Sequence, residues 1–286
     1  MKSVLLVIMK IGRKLFRNTP IQRLGLTTFI YKRIAVRAFG TDPVEVDFRG
    51  AKILYPGGDY TTLPTLVEGV YEEAELDALE QILDSLDDPI IAVDIGANVG
   101  IWTVLLARHP KVAQVLAFEP SNENLFFLQK NIARNHLTEK VEVIQKAVSS
   151  HSGNVIFNES GSGATKRIDL TGSTVVEAVV LDEIVGLRKI GLIKIDVEGH
   201  EPSVLNGSWR TLESSEPFLF IEYSDLQTRS AGLSWQSVGT RLVSIYGSFS
   251  ILDGKESRLE KNFSSLVGDN RLLNLLFVPK EITKPK

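Results

Sequence analysis

The chain has 286 residues, 43% hydrophobic and 23% charged, with 22 Gly, 11 Pro and a net charge of −3. This is the composition of one large globular domain or two small ones, and it excludes a collagen-like, low-complexity or largely disordered chain. There is no cysteine, and the four histidines, His109, His136, His151 and His200, form no pair at metal-ligand spacing, so disulfides, thiolate nucleophiles and Cys-ligated metal centres are excluded and the chemistry falls to carboxylates, Lys, Tyr, hydroxyls or a bound cofactor.

Charge is unevenly placed. Residues 1–41 hold nine Lys/Arg and no acid, which leaves the rest of the chain at −12. Such a basic arm either meets an anionic partner (membrane surface, nucleic acid or phosphorylated substrate) or packs on the acidic body. Leu5, Ile8, Leu15, Phe16, Leu24, Phe29, Ile30 and Ile34 recur at loosely helical spacing, which predicts one or two amphipathic helices over 1–40, broken near Pro20. The apolar run Val4–Met9 is shorter than the roughly seven to fifteen residues of a signal-peptide core. No run approaches the roughly twenty residues that span a bilayer. The expectation is a cytoplasmic protein, at most peripherally attached to a membrane.

Residues 44–66 read as short strands with turns at Arg49-Gly50 and Pro56-Gly57-Gly58. Glu72 to Leu86 reads as a helix, with Leu76, Leu79, Ile82, Leu83 and Leu86 on one face. From residue 90 strands and helices alternate: strands at 90–95, 115–118, 141–144, 190–195 and 218–221, helices at 101–108, 122–136, about 202–212 and 235–246. Continuous apolar strands separated by helices imply a parallel sheet covered on both faces. Two late strands near 249–252 and 272–278 should pair antiparallel. Residues 155–158 and 175–180 suggest an inserted hairpin with its mobile tip at Gly161-Ser-Gly163. The domain reading is a basic amphipathic extension with a small β segment over 1–70, followed by an α/β domain over 71–286.

Three segments carry chemistry. Asp94-Ile-Gly-Ala-Asn-Val-Gly100 sits at the end of the first strand of the alternation, where doubly wound folds bind cofactors. Gly96 permits a tight turn and close backbone approach, and Gly100 lets the helix start against the strand. The spacing lacks the third glycine of a dinucleotide loop, and Asp94 would repel a pyrophosphate but not a cationic ligand. Glu119, ending the second strand, can accept both hydroxyls of a ribose, as in NAD or S-adenosylmethionine. Asn122, Asn124 and Asn131 read as cap and solvent-face residues. The third segment is Ile193-Lys-Ile-Asp-Val-Glu-Gly-His-Glu201. Lys194, Asp196 and Glu198 alternate along an extended backbone and should share one face. Ionisable groups at an apolar strand end are expensive unless paired or functional. Glu222, ending the fifth strand, should converge on the same crevice either as a second catalytic carboxylate or as a strand cap. His200 is either a cap or a catalytic group.

These blocks, with Phe118-Glu-Pro120, Leu181-Asp182, Val204-Leu-Asn-Gly207 and Ile221-Glu222, resemble the FkbM family of S-adenosylmethionine-dependent methyltransferases from about Tyr71-Glu72 to Tyr223. The resemblance implies a class I methyltransferase fold, a Rossmann-like doubly wound and mostly parallel seven-stranded sheet with an antiparallel last strand. It implies that S-adenosylmethionine is the cofactor. Glu72, Asp94, Gly96, Asn98, Gly100, Glu119, Ala147 and Asp196 would bind it: Asp94, Gly96 and Gly100 on the methionine side, Glu119 at the ribose, and the Gln145-Lys-Ala147 turn near adenine. Asp196 and Glu198 would face the transferred methyl and the acceptor, a hydroxyl on a sugar, glycolipid, polysaccharide or secondary metabolite. Two positions depart from the family pattern: Val180 stands where Thr is common, read here as a buried strand position, and Trp102 replaces a smaller aromatic and would narrow the pocket.

The expected chemistry is O-methylation. Asp196 or Glu198 would be the general base, Lys194 or His200 would tune it or orient the acceptor, and Glu222 would lie beside them. No resident metal is expected, although Asp196, Glu198 and Glu222 would suit a hard cation. The alternatives are an NAD-dependent oxidoreductase or epimerase of a nucleotide sugar, and an inactive cofactor-binding scaffold. No nucleic-acid partner is expected, because the arm has too few aromatics for base stacking. A membrane or glycolipid contact through residues 1–40 is the expected role of the arm.

Overall fold

A computed structural model describes residue 40 and residues 42–57, 62–159, 166–168, 172–253 and 256–283. The expected helices of the basic arm and the Gly161–Gly163 tip lie outside the described residues.

The described chain begins with a hairpin, β1 (Val44–Phe48) and β2 (Ala51–Tyr55), turning at Arg49-Gly50, where both residues have positive φ. Helix α1 (Thr62–Glu68) follows, where strands were expected. Leu63 and Leu66 are both fully buried, and that i, i+3 spacing is helical despite the β-branched Thr and Val around it. Helix α2 (Glu73–Ser85) leads into β3 (Ile90–Ile95), α3 (Ile101–Arg108), β4 (Val112–Phe118), α4 (Asn122–Arg134) and β5 (Val141–Ile144). An inserted sheet comprises β6 (Ala147–Val148), β7 (Gly153–Asn158), β8 (Arg167–Ile168) and β9 (Thr174–Val179). Then come α5 (Leu181–Val185), β10 (Leu192–Ile195), α6 (Glu201–Asn206), α7 (Trp209–Ser215), β11 (Phe218–Tyr223), α8 (Asp225–Ser230), α9 (Gln236–Tyr246), β12 (Phe249–Asp253), β13 (Glu256–Glu260) and β14 (Leu273–Phe277).

The main sheet has the order β13-β12-β14-β11-β10-β3-β4-β5. Strands β5, β4, β3, β10 and β11 are parallel, and β14 runs antiparallel between β11 and β12. This is the seven-stranded class I methyltransferase arrangement, extended at one edge by β13, which the sequence reading did not anticipate. Its segment, Glu-Ser-Arg-Leu-Glu, is charged, with its single apolar residue, Leu259, exposed. That is how a solvent-facing edge strand avoids further pairing. The hairpin expected in the insert is present as β7 against β9, antiparallel from Gly153–Ala178 to Phe157–Thr174.

The helix expected over 202–212 is two helices. The break falls at Gly207, where a Cβ would lie 2.2 Å from the Ser149 carbonyl oxygen. The second helix is capped from outside: the Asp182 carboxylate accepts the Arg210 N–H at 2.9 Å and the Thr211 N–H at 2.9 Å. Val180 is the half-buried residue preceding α5 rather than a strand position.

Asn131 is completely buried rather than on a solvent face. Its side chain accepts the Leu54 N–H at 2.7 Å and donates to the Leu54 and Val99 carbonyls at 2.9 and 2.8 Å, which fastens the β1–β2 hairpin to α4. Two apolar layers flank the sheet. On one of them Trp235, Tyr223, Phe263, Phe249, Phe277 and Tyr246 interlock, with ring centroids 5.1–5.8 Å apart. Tyr223 and Tyr246 satisfy their hydroxyls on the Leu266 and Pro217 carbonyls. This cluster fixes β11 and the start of α8, which carry two of the site residues.

Candidate functional site

Strand order reverses between β3 and β10, and in such a sheet the crevice opens beyond the carboxyl ends of those strands. A cavity of about 210 Å³ lies there. Gly96 is at its floor with φ of 81°. A Cβ at this position would sit 1.9 Å from the Asp196 backbone oxygen. The glycine turn and the acid block therefore touch through backbone, and no side chain fits between them.

Glu119 is buried at one end of the cavity. Its Oε2 accepts the Asn98 N–H at 2.8 Å, and its Oε1 accepts the Ser121 N–H at 2.8 Å and the Asn124 side-chain N–H at 3.3 Å. Burial raises its pKa to about 7 even against these donors. Asn98, with φ of 52°, places its N–H there. Asn124 is buried and functional in this sense, not a solvent-face residue. Lys166, from the insert, is also buried and donates to Glu123 at 2.7 Å and to Ser121 and Asn124 at 3.2 Å. Ala147, Val148, Phe157 and Ile168 add an apolar wall.

At the other end stand Asp196, Glu198 and Glu222, all half-buried, with one oxygen from each within 4.8 Å of the others. The expected alternation stops short of Glu198: β10 ends at Ile195, and Glu198 has φ of 57° in the following turn. Glu201 builds that turn. It is 1% exposed, and its Oε1 accepts the Val197 and Gly199 N–H groups at 3.0 Å each. Glu198 Oε2 accepts the Gln227 amide at 2.7 Å. Burial pushes Glu198 up to about 8 and Glu201 to about 7, and the neighbouring carboxylates add to both. Glu222 is raised well above the usual range, first by burial, then by Asp196 and Glu198.

Lys194 lies beneath this cluster. Its Nζ is 3.0 Å from Asp196 Oδ2 and 4.0 Å from Asp94 Oδ1, and stands 5.9 Å from the Trp102 ring centroid. Burial works against its charge, but Asp196, Asp94 and Glu72 outweigh burial and hold the ammonium above the usual lysine range. Asp94 sits opposite Lys194 in the β3–β10 register and accepts the Thr103 hydroxyl. Asp94 and Gly100, expected to line the cofactor's methionine side, are absent from the cavity lining. Asp94 serves as a buried counter-charge, and Gly100 is packed against Leu128, whose Cδ1 would meet an added Cβ at 2.5 Å. Trp102 is likewise behind the cavity: it donates to Glu72 and packs on Phe220 at 5.2 Å. It does not narrow the main cavity. Glu72 does line it, with its pKa raised to about 7 by burial. His200 lines it too, with Nε2 at 3.2 Å from the Ser149 hydroxyl. Burial and then His151 lower its pKa to about 4, so it is neutral near pH 7.

The methyltransferase FkbM domain matches residues 94–242, just over half of the chain. The chain belongs to the FkbM methyltransferase family. The FkbM chain is 29% identical over 153 residues to the hexuronic acid methyltransferase AglP of Haloferax volcanii, covering 52% of this chain and 62% of that relative, less than two thirds of its length. It is 28% identical over 202 residues to the 2-O-methyltransferase NoeI of Sinorhizobium fredii, covering 62% and 81%. A solved FkbM methyltransferase from Methylobacillus flagellatus superposes with a TM-score of 0.48 at 19% identity, over 76% of this chain and 53% of that one. These relatives give no support to an oxidoreductase or an inactive scaffold. Among the described residues no helix is long and apolar enough to cross a membrane.

The sequence does not point to Lys166, Arg167 or Gln227, which line the cavity or hold a residue that does. Each stands outside the quoted motifs on a distant segment, and none carries a local signal. Glu201 stood inside the acid block and was readable there as a buried helix-start acid.

Proposed function

We propose that this FkbM methyltransferase uses S-adenosylmethionine to methylate a hydroxyl of a sugar or glycan. The observation that carries the reading is the division of one cavity between a ribose-type acceptor carboxylate, Glu119, and the carboxylate group of Asp196, Glu198 and Glu222. The activities of the two relatives, a hexuronic acid methyltransferase and a 2-O-methyltransferase, support the choice of acceptor.

The residues suit the cofactor. Glu119 Oε2 has one lone pair left after the Asn98 N–H, which suits a ribose hydroxyl. Gly96 offers backbone without a side chain, Ala147 with Phe157 offers an apolar place for adenine, and the carboxylates favour a cationic sulfonium. Once bound, S-adenosylmethionine supplies an electrophilic methyl group. The chain supplies alignment, which is worth up to roughly 7–11 kcal/mol, and a place for the acceptor's proton. Asp196 is the base in this reading: Lys194 at 3.0 Å orients it, while burial and the neighbouring carboxylates push Glu198 up to about 8, so that it keeps a proton near neutral pH, and raise Glu222 well above the usual range. Glu198 and Glu222 then bind acceptor hydroxyls, and Gln227 sets Glu198 in place. Neutral His200 orients the acceptor rather than carrying charge. Asp94 and Glu72 balance Lys194.

Incubating the protein with isotopically labelled S-adenosylmethionine and a panel of hexoses and uronic acids tests the reading. Label recovered as an O-methyl ether supports it. Label recovered only on nitrogen or carbon rejects it. The nine basic residues within 1–41 fit a glycolipid acceptor on an anionic membrane surface.

A further inference from the structure

The Glu119 end of the cavity is built from two separate segments of chain. One is the start of α4, where the Ser121 N–H and the Asn124 side-chain N–H hold Glu119 Oε1. The other is the inserted sheet, in which β8 pairs with β7 through Ile168–Phe157 and Arg167–Asn158. Phe157 and Ile168 belong to the apolar wall of the cavity. Lys166, one residue ahead of β8, joins the two segments.

Lys166 lines the cavity, yet its side chain is only 3% exposed. Burying an ammonium is expensive unless its protons are accepted. Here all three find acceptors: Glu123 Oε2 at 2.7 Å, Ser121 Oγ at 3.2 Å and Asn124 Oδ1 at 3.2 Å. The Glu123 side chain is 65% exposed, so an ion pair with it requires no burial. The contacts that draw the ammonium inward are those to Ser121 and Asn124, the two residues that hold Glu119 Oε1.

The contact to Asn124 is directional. An ammonium only donates, so it admits the oxygen of the amide and not its NH₂ group. With Oδ1 turned to Lys166, Nδ2 faces Glu119. Without the ammonium the amide is free to rotate, which removes a donor from Glu119 and sets an oxygen against its carboxylate. Burial raises the Glu119 pKa, and the Lys166 charge opposes that rise. Both effects keep the carboxylate oriented with an acceptor position for a ribose hydroxyl.

We propose that Lys166 is a positioning residue of the donor site: reaching from the insert, it orients Asn124 and through it the Glu119 carboxylate that takes the ribose of S-adenosylmethionine. The insert thereby belongs to the cofactor half of the cavity, its apolar wall and the ribose carboxylate being fastened together by one buried ammonium. The role rests on the methyl-donor reading.

Calorimetric titration of the full chain with S-adenosylmethionine tests it, using the unaltered protein, Lys166→Met, Glu119→Gln and the double variant. Lys166→Met keeps an apolar stem and removes the charge and the donors. Affinity should fall roughly tenfold in Lys166→Met. In the Glu119→Gln background the same change should cost no more than about twofold, because Lys166 acts through Glu119. Lys166→Arg, which returns a charge and donors, should recover most of the loss. Circular dichroism and thermal unfolding check the fold of each variant; where Lys166→Met does not fold, the milder Lys166→Gln carries the same prediction in both backgrounds. Unchanged affinity in Lys166→Met overturns the proposal. So does an equal loss in both backgrounds, the mark of a clamp that serves the fold alone, and so does a Lys166→Arg protein as weak as Lys166→Met. Cofactor binding that is indifferent to Lys166 rejects this role alone, whereas no binding by the unaltered protein rejects the methyl-donor reading and this role with it.

Discussion

Replacing Glu119 by Gln is the sharpest test of the donor half of the site, because the change is nearly isosteric and its consequences can be counted. The carboxylate accepts three donors: the Asn98 N–H on Oε2, and the Ser121 N–H and Asn124 side-chain N–H on Oε1. A glutamine has one oxygen. If that oxygen stays with Ser121 and Asn124, the new NH₂ group points at the Asn98 N–H, donor against donor, and the lone pair reserved for a ribose hydroxyl disappears. A lost hydrogen bond to a charged group costs about 1.5–3 kcal/mol, so affinity for S-adenosylmethionine should fall by roughly 10- to 150-fold. Stability should change less. The orphaned Asn98 N–H costs about 1–3 kcal/mol, whereas removing a buried charge, whose pKa is raised to about 7, returns part of that. Isothermal titration calorimetry on both proteins, with thermal unfolding as a fold check, measures the two effects together. A folded variant that binds the cofactor as tightly as the parent refutes the assignment of Glu119 to the ribose.

Asp196→Asn removes the partner of Lys194 and the proposed base; turnover should drop by roughly 10²–10⁴ while calorimetry shows cofactor affinity largely retained, and loss of cofactor binding would move Asp196 to a binding role. The buried acids also set a pH trend. Folded-state values of about 7 for Glu72, Glu119 and Glu201 and about 8 for Glu198 lie above the ordinary 4.5, so the folded chain keeps protons that the unfolded chain loses between about pH 4.5 and 8. Stability is therefore fully present at the acid side of that window and falls as pH rises, by up to about 1.4 kcal/mol per pH unit per group. His200, depressed to about 4, pulls the other way only up to pH 6.5. Scanning calorimetry without cofactor should give a higher Tm at pH 6 than at pH 8, and a Tm that rises over that interval would contradict the burial argument. Deleting residues 1–39, which remove all nine basic residues of the arm, should abolish sedimentation with anionic liposomes and spare cofactor binding; unchanged liposome binding would reject the membrane contact.

What was legible in the sequence follows from the physics of each element. Strands β3 and β5 and helix α3 fall where the alternation placed them, because long apolar runs punctuated by glycine leave few alternatives. The segment Thr62–Glu68 was misread because its β-branched residues favour strands in isolation, whereas burial of Leu63 and Leu66 on one face decides for helix. Strand β13 was invisible because an edge strand lacks an apolar face to announce it. In the site, Asp196, Glu198, Glu222, Glu119 and Gly96 could be named from their blocks. The pairing of Asp94 with Lys194 could not be read, because Lys194 comes from a neighbouring strand a hundred residues on, and register alone puts the two charges side by side. Lys166 and Gln227 were unreadable for the same reason: each acts on a residue 29 or more positions away.

The proposed reaction is transfer of a methyl group from S-adenosylmethionine to a sugar hydroxyl at the Asp196–Glu198–Glu222 end of the cavity. Its most direct measurement is mass spectrometry with linkage analysis of hexose and uronic acid acceptors after incubation with deuterium-labelled S-adenosylmethionine, the unaltered protein beside Asp196→Asn. The expected product is a labelled O-methyl ether on one acceptor, formed by the unaltered protein and nearly lost in the variant. Label on no hydroxyl, or equal labelling by both proteins, would contradict it.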